Sequence, residues 1–367
     1  KYFSLLLIGL TSCQLTNETG SFKAGASLSS ATSTSSKAWR SPYALDFNEY
    51  DLTYFNNNNN SSTVGNSPMS PMSVVCDGKK SFHAIFNHAT CDIIPACTLY
   101  YYMWATQTQS FASDTWGTSG ASFSRLDGTD SQIESAKPVS AVDSAGNIMT
   151  VYTSTNAAGV YRPVGVRHNK TSNSWGASRD ISSAAMTTTL GFDSQFHSAA
   201  LAFDSSDNAV VVWCQGDPAG NPVPFWNEYR ALTGWRFSTS ASILDMSIDG
   251  ATTYCSEDDT GMDIDFDGSG AGLVAFVSKA SDTMVVKEWE NDAWSGAVET
   301  VLGATTQDML PRIFIDSTGL ANLFFHRNAS LITGSGELHL SIGTEAADFS
   351  ATASTLVTTG VFAFYAG

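Results

Sequence analysis

One pattern recurs five times along this chain: a short apolar strand, an Asp-led polar turn, and a second strand ending in an aromatic residue. The copies read VVCDGKKSFHAIF at 74–86, AVDSAGNIMTVY at 141–152, AFDSSDNAVVVW at 202–213, DFDGSGAGLVAF at 265–276 and FIDSTGLANLFF at 314–325. Their leading aspartates are Asp77, Asp143, Asp204, Asp267 and Asp316. Asp followed by Ser or Gly and then by Gly or Asn suits a tight hairpin, because the carboxylate caps its own backbone and Gly or Asn accepts a positive φ. A second marker follows each copy: Trp116, Trp175, Trp235, Trp294 and Phe349, at spacings of 59, 60, 59 and 55 residues. A fixed period of this length means stacked copies of one supersecondary unit, none of which can bury its faces alone.

Between turn and aromatic lies a third apolar strand: TLYYYMW (98–104), YRPVGVR (161–167), FWNEYRA (225–231), MVVKEWE (284–290) and ELHLSI (337–342). The residues after each aromatic supply a fourth. Composition agrees with an all-β chain, with 21 Phe, 12 Tyr and 9 Trp but only 14% charged residues, and no long stretch repeats its apolar residues with helical spacing. Four antiparallel strands per unit, with one aromatic in register, predict a β-propeller. A pair of β-sandwiches would also show many short strands but does not require the period.

The strand–Asp turn–strand–strand–Trp wording over 71–357 resembles bacterial propellers of the sialidase and BNR-repeat class and, more distantly, fungal fucose-lectin propellers. The resemblance is specific for fold and weak for activity. The Asp-box of that class (Ser-x-Asp-x-Gly-x-Thr-Trp) survives only as an echo in Thr171-Ser172-Asn173-Ser174-Trp175. Trp39 could belong to a further outer strand, and after Val357 ten residues remain, enough for one strand. The expectation is five four-stranded antiparallel blades, or six with one incomplete.

At the amino end, Lys1 precedes the apolar run Leu5–Leu10, too short to span a bilayer. Leu10-Thr11-Ser12-Cys13 resembles the lipobox of bacterial lipoproteins, which implies a signal peptide over 1–13, lipidation at Cys13, and, with Gln14 next, an outer-membrane or cell-surface location. Residues 14–38 are rich in Ser, Thr, Gly and Ala and read as a flexible tether. The propeller then occupies 39–367. A net charge of −17, with 18 scattered basic residues, argues against a nucleic-acid partner and leaves the lipid anchor as the only route to a membrane.

Interblade connections, and those between second and third strands, emerge on the face where propellers carry ligands. They hold Gln132, Glu134, Asp193, Gln195, His197, Gln307 and Asp308, with Arg312 on the innermost strand that follows. Such groups suit a glycan or another polar cell-surface ligand. Asp263, Asp265 and Asp267 alternate onto one side of a strand entering its turn, and Asp-x-Asp-x-Asp-Gly resembles the start of a calcium loop. Position 274 is Val where the EF-hand form needs Glu, so calcium competes with a solvated acidic loop. No catalytic set assembles: the six His show no metal spacing, no Gly-x-Ser-x-Gly is present, and no pair of acids stands out. A non-catalytic glycan-binding protein is therefore the first expectation, a sialidase-like or other glycoside hydrolase the second, and a scaffold of an envelope complex the third. Cys91 and Cys97 share one loop, and Cys214 and Cys255 fall on loops of one face in adjacent blades, so Cys91–Cys97 and Cys214–Cys255 are the expected disulfides. Cys76 is then left as a thiol, with Cys76–Cys91 the alternative pairing.

Overall fold

A computed structural model describes residues 73–76, 82–91, 99–107, 123–126, 135–155, 161–186, 199–250, 253–255, 261–280, 283–302, 309–316, 318–327 and 335–361. They form five consecutive antiparallel sheets, each built outward in chain order. Sheet one is β1 (Ser73–Cys76), β2 (Phe82–Cys91), β3 (Leu99–Gln107) and β4 (Phe123–Arg125). Sheet two is β5 (Ser135–Val142), β6 (Ile148–Thr155), β7 (Tyr161–Asn169) and β8 (Ser174–Trp175), with β9 (Arg179–Asp180) returning to β7. Sheet three is β10 (Ala200–Phe203), β11 (Ala209–Gly216), β12 (Pro222–Arg230) and β13 (Gly234–Trp235), followed by the one-turn helix α1 (Ile243–Met246). Sheet four is β14 (Met262–Phe266), β15 (Gly272–Ser278), β16 (Thr283–Glu290) and β17 (Ala293–Thr300). Sheet five is β18 (Met309–Ile315), β19 (Ala321–Arg327), β20 (Ser335–Gly343) and β21 (Thr355–Val361), with α2 (Ala346–Ala351) between its last two strands.

All five Asp turns are expected as hairpins between first and second strands, and the four within the described residues are hairpins of one design. The aspartate N–H donates to the carbonyl four residues on, and one of its carboxylate oxygens accepts the N–H of that same residue, as Asp143 does with Asn147 and Asp267 with Ala271. The residue before the return takes a positive φ: Gly146, Asp207, Gly270 and Gly319. Asp207 is the exception in residue type, and it uses its carboxylate to accept from the backbone N–H and hydroxyl of Ser144 in the preceding sheet. The turns form a belt: a side chain on Gly270 would strike Ser205, and one on Gly319 would meet the Asp267 carboxylate. Asp77 lies outside the described residues.

Four hydrophobic cores separate the five sheets. The second strands explain why: β11 and β15 (AVVVWCQG and GLVAFVS) are buried at every residue, as a strand with a sheet on each face must be. The in-register tryptophans plug these seams. Trp235 lies so close to Gly165 of sheet two that any side chain there would collide with it. Trp294 packs edge-on to Trp289 and Trp226. Trp175 packs at a tilt of 56° against His168, whose ring centre sits 4.9 Å from that of His83 of sheet one.

Phe349, the fifth aromatic marker, lies on α2, fully buried in the core between sheets four and five, and the residues after it supply the fourth strand, β21, as expected. The Thr171–Trp175 echo is the hairpin between β7 and β8, capped by the Asn169 side chain. Cys214 lies within β11, with the loop opening only at Asp217, yet it bonds Cys255 as expected, Cα to Cα 6.3 Å. Cys13 and Cys97, and the side chains of Cys76 and Cys91, lie outside the described residues, as do Trp39, the 1–13 segment and the 14–38 tether.

Candidate functional site

The innermost strands differ from sheet to sheet at two positions, four and two residues before the turn aspartate. These are Val139 and Ala141 in sheet two, Ala200 and Ala202 in sheet three, Asp263 and Asp265 in sheet four, and Arg312 and Phe314 in sheet five. In sheet three both alanines are buried against Met262, Ile264 and Phe266 of sheet four. In sheet four the same positions carry carboxylates that reach across the next seam. Asp263 Oδ2 accepts the backbone N–H of Ile313 at 2.9 Å, and Asp265 Oδ2 accepts that of Ile315 at 2.8 Å. An innermost strand is a sheet edge whose outward N–H groups lack a ladder partner, and the two aspartates supply acceptors for the edge of β18.

The entrance of β18 is bulged. Met309 pairs with His326, and the next pair is Arg312 with Phe324, so β18 carries one extra residue. Leu310 there takes a left-handed conformation (φ 54°), which costs an ordinary residue about 1 kcal/mol. Pro311, lacking an N–H, follows it, and Gly261 packs against both. β5 has the same one-residue bulge between Ala136 and Val139, again with a proline, Pro138. Bulges of this kind re-aim the side chains that follow them.

On β18 the re-aimed residue is Arg312. It is exposed, and its one hydrogen bond among the described residues runs to the carbonyl of Pro311 at 2.9 Å. Burial pushes the Asp263 carboxyl up to about 6, with the Arg312 charge opposing the shift. Burial, reinforced by Arg312, holds His326 down to about 4. Burial also raises Asp265. At neutral pH the cluster thus offers a permanent cation, a neutral imidazole, and a carboxyl that takes up a proton in mild acid.

Of the residues expected to ring the ligand, only Arg312 is described. Gln132, Glu134, Asp193, Gln195, His197, Gln307 and Asp308 lie outside the described residues. Asp263, Asp265 and Asp267 do share one side of β14 and its turn, but each is engaged: the first two with β18, and Asp267 with the N–H groups of Ser269 and Ala271. Among the described residues, the acidic group whose oxygens lie within 4.8 Å of one another is a different one: Asp204, Glu228 and Asp292. There Arg230 forks onto Glu228 and reaches Asp292, while Arg236 also bonds Glu228 and lies over the Trp226 ring at 4.9 Å. These arginines supply counter-charge beside an open cleft of about 700 Å³ at the turn end of sheets three and four. His326 and the seam-bridging use of Asp263 were not anticipated from the sequence; lining up positions relative to the turn aspartate would have flagged both Asp263 and Arg312.

No protein-family model matches the chain, and no curated protein matches it. Solved structures share its fold. It is similar to an ulvan lyase described as a new polysaccharide lyase family, PL25, at 9% identity over 79% of this chain and 70% of that one, with a TM-score of 0.52. The same figures hold for that lyase bound to a -[GlcA(1-4)Rha3S]- saccharide. The Hadza microbial sialidase Hz136 aligns at 11% identity over 80% of this chain and 59% of that one, with a TM-score of 0.46. At such identity the likeness is one of fold: an all-β, propeller-like array of antiparallel sheets.

Proposed function

We propose that this chain is an exported, Cys13-anchored β-propeller that binds an acidic glycan at the inner edge of sheets four and five. The observation that carries the reading is Arg312: an exposed guanidinium on a bulged innermost strand, flanked by Asp263 and His326. A planar guanidinium matches a uronate carboxylate or a sulfate ester in two parallel hydrogen bonds. The like-folded ulvan lyase, bound to a saccharide of glucuronate and sulfated rhamnose, supports acidic polysaccharide as the ligand class. Gln307 and Asp308, just upstream of β18, are the nearest of the expected polar contacts in sequence. Binding acidic and neutral oligosaccharides in parallel, with calcium and with chelator, tests this. Arg312→Ala is expected to weaken acidic-glycan binding at least tenfold, a loss of about 1.4 kcal/mol, with stability unchanged within about 0.5 kcal/mol. Equal binding by Arg312→Ala and the parent would overturn the reading. Dependence on added calcium would instead bring the Asp263–Asp267 run into play as ligands.

A second reading, cleavage of the glycan, is favoured by one observation: a carboxyl titrating near 6 beside an arginine and a neutral histidine is the kind of perturbed group catalysis uses. New chain ends released by the parent but not by Asp263→Asn would establish it.

A further inference from the structure

Four polar side chains meet at the inward face of sheet five: Arg327 of β19, Glu337 and His339 of β20, and Ser354, just before β21. Leu323 and Phe325 carry that face into the core shared with sheet four, and cross-strand register sets His339 beside Phe325 and Glu337 beside Arg327. The His339 ring stacks on Phe325, and the Arg327 guanidinium lies over the same Phe325 ring at 5.2 Å. Ser354 arrives from the segment between α2 and β21, two residues before Leu356, the ladder partner of His339. Arg312 pairs with Phe324 and so belongs to the other face of the sheet.

These side chains form a directed chain of hydrogen bonds. Arg327 Nη2 donates to Ser354 Oγ at 3.3 Å, Ser354 Oγ meets His339 Nδ1 at 3.3 Å, and His339 Nε2 meets Glu337 Oε2 at 2.9 Å. A carboxylate only accepts, so the proton of this last bond sits on Nε2. In the neutral ring Nδ1 is then bare, and the Ser354 hydroxyl donates to it. A hydroxyl aimed at a bare imidazole nitrogen, with the imidazole oriented by a carboxylate, is the arrangement that makes serine a nucleophile. Arg327 adds a fixed positive charge at Oγ, beside which negative charge forms when a carbonyl is attacked. His339 and Arg327 are 6% and 9% exposed, whereas Ser354 is half-buried and the Glu337 side chain is 37% exposed, which opens the group to solvent. Next to His339 the ladder slips by one residue at Val357, a bulge of the kind found beside active sites, and Leu356 offers an apolar surface 51% exposed.

We propose that Ser354, His339 and Glu337 act as nucleophile, base and orienting carboxylate in the hydrolysis of carboxylic esters of short apolar acids, with the acyl group on Leu356 and Arg327 facing the oxyanion. Ser354 Oγ adds to the ester carbonyl carbon as its proton passes to His339 Nδ1. The C–O bond to the alcohol then breaks, His339 returns the proton to the departing alkoxide, and the acyl group stays on Ser354. Water repeats the sequence: it gives a proton to Nδ1 and its oxygen to the acyl carbon, and the carboxylic acid leaves as Ser354 Oγ takes the proton back. No step uses Arg312 or a bound glycan, so this activity stands or falls apart from the glycan reading.

The full chain, treated with a fluorophosphonate probe, is expected to take a single phosphonyl group, located on Ser354 by peptide mass spectrometry. It is also expected to release p-nitrophenol from p-nitrophenyl butyrate with an initial burst. Ser354→Ala should abolish both. His339→Gln should slow both by about a hundredfold or more. Glu337 acts through the imidazole, so Glu337→Gln should slow both by about tenfold or more, and Glu337→Asp should recover part of that loss. Rates are compared per folded molecule, with the folded fraction of each variant read from urea unfolding. A folded parent that takes no label, a label on another residue, or labelling of Ser354 at the parent's rate in His339→Gln would overturn the proposal. Ester turnover that survives Ser354→Ala would overturn it equally.

Discussion

The seam between sheets three and four and the seam between sheets four and five use the same positions of the same repeat in opposite ways. At the first, Ala200 and Ala202 vanish under Met262, Ile264 and Phe266, the tryptophans Trp226, Trp289 and Trp294 interlock, and a disulfide ties the margin. At the second, Asp263 and Asp265 occupy the equivalent rungs and spend their charge on backbone N–H groups of the neighbour. The first seam is held by buried area, which is insensitive to pH. The second is held partly by carboxylates in a low-polarity setting and so responds to protons. A repeat fold can therefore keep its architecture while turning one seam into a polar, titratable place, and that seam is where the exposed Arg312 lies.

The comparison can be broken most severely at the apolar seam. Trp289, fully buried and packed edge-on to two other tryptophans, should lose about 3–5 kcal/mol of stability as Trp289→Ala, measured by urea unfolding. A loss below that of Asp263→Ala would reverse the assignment of the two seams.

Next in size is the response to acid. His83, at the seam of sheets one and two, is held to about 4 by burial and by the neighbouring His168. Its folded pKa lies below its unfolded value of about 6.5, so the unfolded state binds more protons between the two values. The resulting stabilisation is complete above pH 6.5 and lost as pH falls towards 4, about 3 kcal/mol in all. Asp263 has the opposite sign: its carboxyl is raised to about 6, so the folded state binds more protons, and stability falls as pH rises from about 4 to 6. His83→Gln should flatten the loss on acidification, and Asp263→Asn should deepen it. The same slope in both variants would show that neither seam titrates as described.

At neutral pH, Asp263→Ala leaves the Ile313 N–H without its acceptor and should cost about 1–3 kcal/mol, whereas Asp263→Asn, which keeps a carbonyl oxygen there, should cost less. The smallest effect is expected at the turn belt. Asp207→Gly removes a left-handed non-glycine residue together with its exposed bonds to Ser144, and these offset to within about 0.5 kcal/mol.

Much of this was legible in the sequence because it is local. The Asp turns need only an aspartate and, three positions on, a residue tolerant of positive φ, and four copies carry the pair. The Cys214–Cys255 pairing followed from knowing which face each loop reaches. What could not be read was relational. Whether Asp263 binds a cation, faces water or caps a neighbour depends on which N–H groups the next sheet presents, and that is set by a bulge at Leu310–Pro311 that no local pattern announces. Phe349 kept the aromatic period but not the strand, because a helix brings the same ring to the same core from another direction.

The disulfide has a consequence for how the molecule comes apart. Because, among the described residues, each sheet packs chiefly on its neighbours in chain order, tension or proteolysis applied at either end should peel sheets away one at a time. Cys214 and Cys255 join sheet three to the strap leading into sheet four across 41 residues. The middle pair is thus a covalent kernel that unravelling from either end reaches last, and under oxidising conditions it is the template on which lost sheets can rewind.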